Sequence, residues 1–90
     1  MLRKLTTKQR ETFSVVVSYI EKYKEPASVR RLRDIINLNI SHIAILDRLV
    51  ALEGKGYLIK EEGKFKPTPE GIKQYIVDTD DDARIKITRR

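Results

Sequence analysis

The chain has 90 residues, 40% of them apolar and 36% charged, and no cysteine. That suffices for one domain with a small core, and it excludes disulfides, thiolate metal sites and a disordered composition. Nineteen Lys and Arg against thirteen Asp and Glu leave +6, a field that attracts phosphate backbones, anionic lipid or acidic proteins without choosing among them.

The first helix is expected to open at Leu5-Thr6-Thr7-Lys8-Gln9. Thr6 and Gln9 stand three apart as a capping box, in which each side chain serves an orphan backbone N–H. Phe13, Val16, Val17, Ile20 and Tyr23 follow as one apolar stripe, and Lys24-Glu25-Pro26 ends the helix because the residue before proline avoids helical geometry. Val15 and Tyr19 lie off that stripe, where they either widen the buried face or form a dimer seam. Ser28 caps a second helix running to about Asn37, with Leu32, Ile35 and Ile36 inward. Leu38-Asn39-Ile40 reads as a tight turn. Ser41 caps a third helix through about Glu53, its inner stripe being Ile45, Leu49 and Leu52. Gly54 and Gly56 flank Lys55 as its stop.

Tyr57 to Lys60 has strand composition, Glu61-Glu62-Gly63-Lys64 forms a turn, and Phe65-Lys66 begins the return strand. Thr68-Pro69-Glu70 starts a short fourth helix, with a hydroxyl cap, a proline at the first position and an acid at the positive end of the dipole. Ile72, Tyr75 and Ile76 form its apolar face. Residues 78–82 hold four acids, which the four bases of residues 83–90 offset, so residues 1–77 carry the whole positive surplus. Arg84 to Thr88 alternates with period two, as an extra strand or a disordered tail. The expected division is therefore a domain over 1–77 and an acidic linker with a basic tail over 78–90.

The order helix, helix, turn, helix, hairpin, helix defines the fold class: mainly α with a small β-hairpin, a winged helix-turn-helix built on a three-helix bundle. No apolar run reaches the length of a membrane span, and Met1 to Lys4 lacks a secretory stretch. No membrane partner and a cytoplasmic setting are expected. Eleven Ile among dense Lys, Glu and Arg lean toward a heat-adapted source. No catalytic constellation is present, because a single histidine, His42, supplies neither a triad nor a zinc site. Asp78, Asp80 and Asp82 have the opening spacing of a calcium loop, but Ala83 and Arg89 occupy the positions of its required Gly and Glu. Enzyme, metal, cofactor and small-molecule functions are thus not expected.

The run from Leu38 to Leu58, with its turn, capping Ser41 and Leu52-Glu53-Gly54-Lys55-Gly56, resembles the recognition-helix segment of MarR-like and PadR-like regulators. Thr68-Pro69-Glu70-Gly71 resembles the helix start that follows the wing in the same regulators. Leu5 to Gln9 is similar to the opening of the LexA DNA-binding domain. The resemblance covers roughly residues 5–77 and implies a regulator that binds double-stranded DNA as a homodimer on two half-sites.

It also implies which residues meet DNA. The third helix, about 41–53, would enter the major groove, presenting His42, Ile43, Ala44, Asp47 and Arg48. Arg48 pairs with guanine or clamps a phosphate; Ile43 and Ala44 suit thymine methyls, and Asp47 suits cytosine N4 while opposing phosphate. Ser28 and Ser41 offer helix N-termini to phosphates, and Arg30 and Arg31, beside Arg33, supply sequence-independent affinity. Lys64 and Lys66 lie in a wing over about 57–67 that reaches the flanking backbone. The plainer readings are structural caps for the serines, a buried Ile43, and solvated basic faces on the second helix and wing. A protein-interaction module within a transcription or replication assembly is the alternative function, favoured by Asp47.

Overall fold

The computed structural model describes residues 2–36 and 41–88, with side chains up to residue 79. Its elements are α1 (Thr7–Tyr23), β1 (Ala27–Ser28), α2 (Val29–Ile36), α3 (His42–Gly54), β2 (Leu58–Glu61), β3 (Lys64–Pro67) and α4 (Pro69–Thr88). This is a winged helix-turn-helix: three helices, a hairpin, and a closing helix. The expected turn at Leu38-Asn39-Ile40 lies outside the described residues.

Local chemistry sets the helix ends. Gln9 N donates to Thr6 Oγ1 at 3.2 Å while Thr6 N donates to Gln9 Oε1 at 3.1 Å, completing the capping box of α1. Ser41 Oγ accepts from Ala44 N at 3.0 Å at the start of α3. Beyond Gly54, Lys55 caps α3 and Gly56 takes a positive φ of 86°. Thr68 Oγ1 accepts from Gly71 N at 2.9 Å and donates to Gly56 O at 2.7 Å, so one hydroxyl caps α4 and ties it to the end of α3.

The core is a single cluster in which Phe13 and Val16 of α1 meet Leu32 of α2, Ile45, Leu49 and Leu52 of α3, and Tyr57, Leu58 and Phe65 of the hairpin. Phe13 packs edge-on against Tyr57, with ring centroids 5.6 Å apart. Tyr57 donates its hydroxyl to Arg3 O at 2.8 Å, fastening the N-terminal segment. Burial raises its ionisation above the usual phenol range, which keeps that proton in place.

Several expected positions move. Tyr23 and Ile35 are each 50% exposed, although the stripes of α1 and α2 include them. Tyr19 is buried instead and donates to Glu25 Oε1 at 3.0 Å, and Val15 packs against the core. Burial, reinforced by that carboxylate, raises the Tyr19 phenol's ionisation. These two residues therefore widen the buried face and are not an open seam. Ser28 sits in β1 rather than on a bare helix cap, although its Oγ still accepts from Arg31 N at 3.3 Å. The fourth helix is 20 residues long, not short, and its backbone continues through the acidic run and through residues 84–88. Ile72 and Ile76, expected as its apolar face, are exposed, and Tyr75 is half-buried.

The sheet has the order β1-β3-β2 and is antiparallel throughout. Glu61 faces Lys64 across a two-residue loop, Glu62-Gly63, whose φ values of 53° and 77° match the twist of a tight hairpin. β1 pairs Ala27 with Phe65 and Ser28 with Lys64. That short strand fixes the start of α2 to the wing.

Candidate nucleic-acid interface

α3 has two unlike faces. Ile45, Leu49 and Leu52 are fully buried, whereas His42, Ile43, Asp47 and Val50 are exposed and Ala44 and Arg48 are half-buried. Ile43 is the most exposed large apolar side chain described, at 69%. The plain reading of Ile43 as a core residue does not hold. Arg48 lies five residues beyond Ile43, about 140° around a helix of 3.6 residues per turn, and so stands on the flank of the helix at the border of its buried face.

α2 presents a different surface. Arg30, Arg31 and Arg33 are exposed, and no ion pair among the described residues engages them. The Ser28 and Ser41 hydroxyls both accept from backbone N–H groups at helix starts, the structural role that either reading requires. The other first-turn N–H groups are the ones a helix leaves without internal partners.

On the wing, strand alternation places Ile59, Glu61, Lys64 and Lys66 on one face and Leu58, Lys60, Phe65 and Pro67 on the other. Lys66 Nζ lies 3.2 Å from Glu61 Oε1. Such a surface pair is worth at most about 1 kcal/mol, so it restrains Lys66 only lightly. Lys64 is exposed beside the turn. Lys60, which the sequence reading did not single out, rests 5.7 Å above the Phe65 ring. Its strand position opposite Phe65 was the available signal. Lys55 is committed elsewhere, donating to Lys4 O at 3.0 Å and Gln9 Oε1 at 2.7 Å. β1 thus ties the start of α2, the helix that carries Arg30 and Arg31, to the wing strand β3, while His42, Ile43 and Asp47 are exposed on α3.

The LexA DNA binding domain family matches residues 2–66 of this chain. The chain belongs to that family. The similarity first seen at Leu5–Gln9 therefore extends through the hairpin, while the MarR-like and PadR-like resemblance is shared only at the level of the winged-helix kind. The heat-inducible transcription repressor HrcA of Mycoplasma mycoides subsp. mycoides SC is 29% identical over 90 aligned residues, covering 92% of this chain and 26% of that protein. The LexA repressor of Oleidesulfovibrio alaskensis is 35% identical over 60 residues, covering 67% of this chain and 28% of its own length. A solved structure described as a hypothetical protein superposes with a TM-score of 0.72 at 25% identity, over 82% of this chain and 24% of that one. The chain spans about a quarter of the length of these relatives. As a family member it is a DNA-binding domain.

Proposed function

We propose that this LexA-type domain is a sequence-specific transcriptional regulator that binds duplex DNA with α3 in the major groove and the hairpin on the flanking backbone. The observation that carries the reading is a capped α3 with one exposed face, packed against both α2 and the hairpin, each of which holds exposed cations. Arg30 and Arg31 on α2, with Lys64 and Lys66 on the wing, supply phosphate contacts and hence most of the affinity. The free N–H groups behind the Ser28 and Ser41 caps add to backbone positioning. His42, Ile43, Ala44 and Asp47 meet base edges, while Arg48 clamps a phosphate from the flank of α3. Similarity to a heat-inducible transcription repressor and to a LexA repressor supports a role in transcription.

A second copy of the chain is the proposed protein partner, because two half-sites multiply specificity and match a partly palindromic operator. With Val15 and Tyr19 packed inward, the exposed Ile72, Ile76 and Val77 of α4 are the surface that supports such pairing.

Titration of labelled duplexes at several salt concentrations tests the reading. A protein contacting about five phosphates through these cations should lose affinity with a log–log slope near −4.5. An affinity independent of salt would instead favour the protein-interaction alternative. Selection of bound duplexes from a random pool, with sedimentation of the free protein, then gives the site and the copy number.

A further inference from the structure

The outward face of α3 is centred on Ile43, Asp47 and Val50, spaced i, i+4 and i+7, opposite the buried Ile45, Leu49 and Leu52. Purine edges in the major groove are read chiefly by Arg or Lys on guanine and by Asn or Gln on adenine. Residues 41–54 contain no Lys, Asn or Gln, and the single Arg is half-buried on the flank. What this face offers instead is a branched aliphatic side chain, 69% exposed, and an exposed carboxylate. Those chemistries match the C5-methyl of thymine and the N4 amino group of cytosine.

We infer that α3 reads the pyrimidine edges of its site, Ile43 against a thymine methyl and Asp47 against a cytosine amino group. The inference rests on the duplex-binding reading above. Four residues of helix rise span about 6 Å, so the two pyrimidines lie within about two base steps of each other. The carboxylate has a second effect. It repels phosphate wherever no amino group meets it, and so weakens binding to sequences that lack the cytosine.

Three arms test this on a duplex selected from a random pool by the wild-type domain. Replacing each thymidine in turn by deoxyuridine, which lacks only the methyl, should weaken wild-type binding about fourfold at one position. Ile43→Ala should bind the selected duplex more weakly and be indifferent to that replacement. Asp47→Ala should bind random duplexes more tightly than wild type and lose its preference for cytosine. Both side chains are exposed, so both variants should keep the wild-type melting temperature. If the selected duplex binds in a salt-dependent way but every deoxyuridine replacement leaves affinity unchanged, Ile43 does not read a methyl and the inference falls while the duplex-binding reading stands. An Asp47→Ala domain that keeps the full cytosine preference overturns the carboxylate's role. Recovery of no duplex at all sinks the underlying reading, and this inference with it.

Discussion

α2 and α3 are consecutive helices resting on the same core, yet their outer surfaces differ in the cations they carry. α2 shows Arg30, Arg31 and Arg33 to solvent beside Asp34 and Ile35, whereas α3 shows His42, Ile43, Asp47 and Val50 and half-buries its one arginine. One surface suits a polyanion of any sequence; the other is poorly suited to phosphate and suits only particular base edges. The contrast teaches that affinity and discrimination need not sit on one helix. On the proposed reading, a helix with few cations is the reader and is held in place by its neighbours.

The largest effect should come from removing the support that both surfaces share. Leu49→Ala leaves a cavity beneath α3 and should lower unfolding free energy by about 2–5 kcal/mol, measurable by urea denaturation. Gly71→Ala comes next. A Cβ there would lie 2.7 Å from both Cα and O of Tyr57, so α4 must shift from the hairpin, with an expected loss of about 1–3 kcal/mol. Neither change separates the two surfaces, because both damage the frame.

The separation comes from surface variants. Arg30→Ala with Arg31→Ala should weaken every duplex by at least about tenfold at low salt and make the log–log salt slope shallower by about 2, leaving sequence preference intact. A change in preference would break the division of labour. Arg48→Ala should cost about 1–3 kcal/mol of binding, spread evenly over sequences if the side chain clamps phosphate; a loss confined to one guanine position would make it a base reader. The smallest effect belongs to Glu61→Gln, which releases Lys66 and should raise affinity a few-fold at low salt, fading as salt screens the contact.

Sequence pattern exposed the frame well where chemistry was local. Thr6 with Gln9, the Ser41 cap, Glu62-Gly63 in the turn and Thr68-Pro69 before α4 each satisfy specific backbone groups, and such groups can be read one by one. The stripe Ile45, Leu49, Leu52 was equally clear because it lies in the middle of a helix that crosses the core. Periodicity failed at the margins. Tyr23 and Ile35 keep the helical spacing but fall past the edge of a small core, where a repeating pattern finds nothing to pack against. Tyr19 is buried off the stripe, in the core cluster, and its hydroxyl finds Glu25, a contact made across a bend that spacing does not encode.

Two further misses have simple causes. β1 is two residues long, too short to alternate, and exists through its register with Phe65 and Lys64. The five-residue alternation at 84–88 left an extra strand or a disordered tail open, but a helix already begun at Pro69 extends at the cost of one residue per hydrogen bond. For the proposed interface, residue types were more readily legible in sequence than their placement. Arg48 looked central from sequence and stands on the flank, while the exposure of Ile43 depended on which face of α3 the core took.

Amide NMR titration with the selected duplex tests the central claim most directly, since it reports every backbone N–H at once. The largest shift changes should fall on Ser41–Arg48, with a second set at Arg30, Arg31, Lys64 and Lys66, and none at Leu2 or Glu70. Changes centred on α4, with Ser41–Arg48 unmoved, would contradict it.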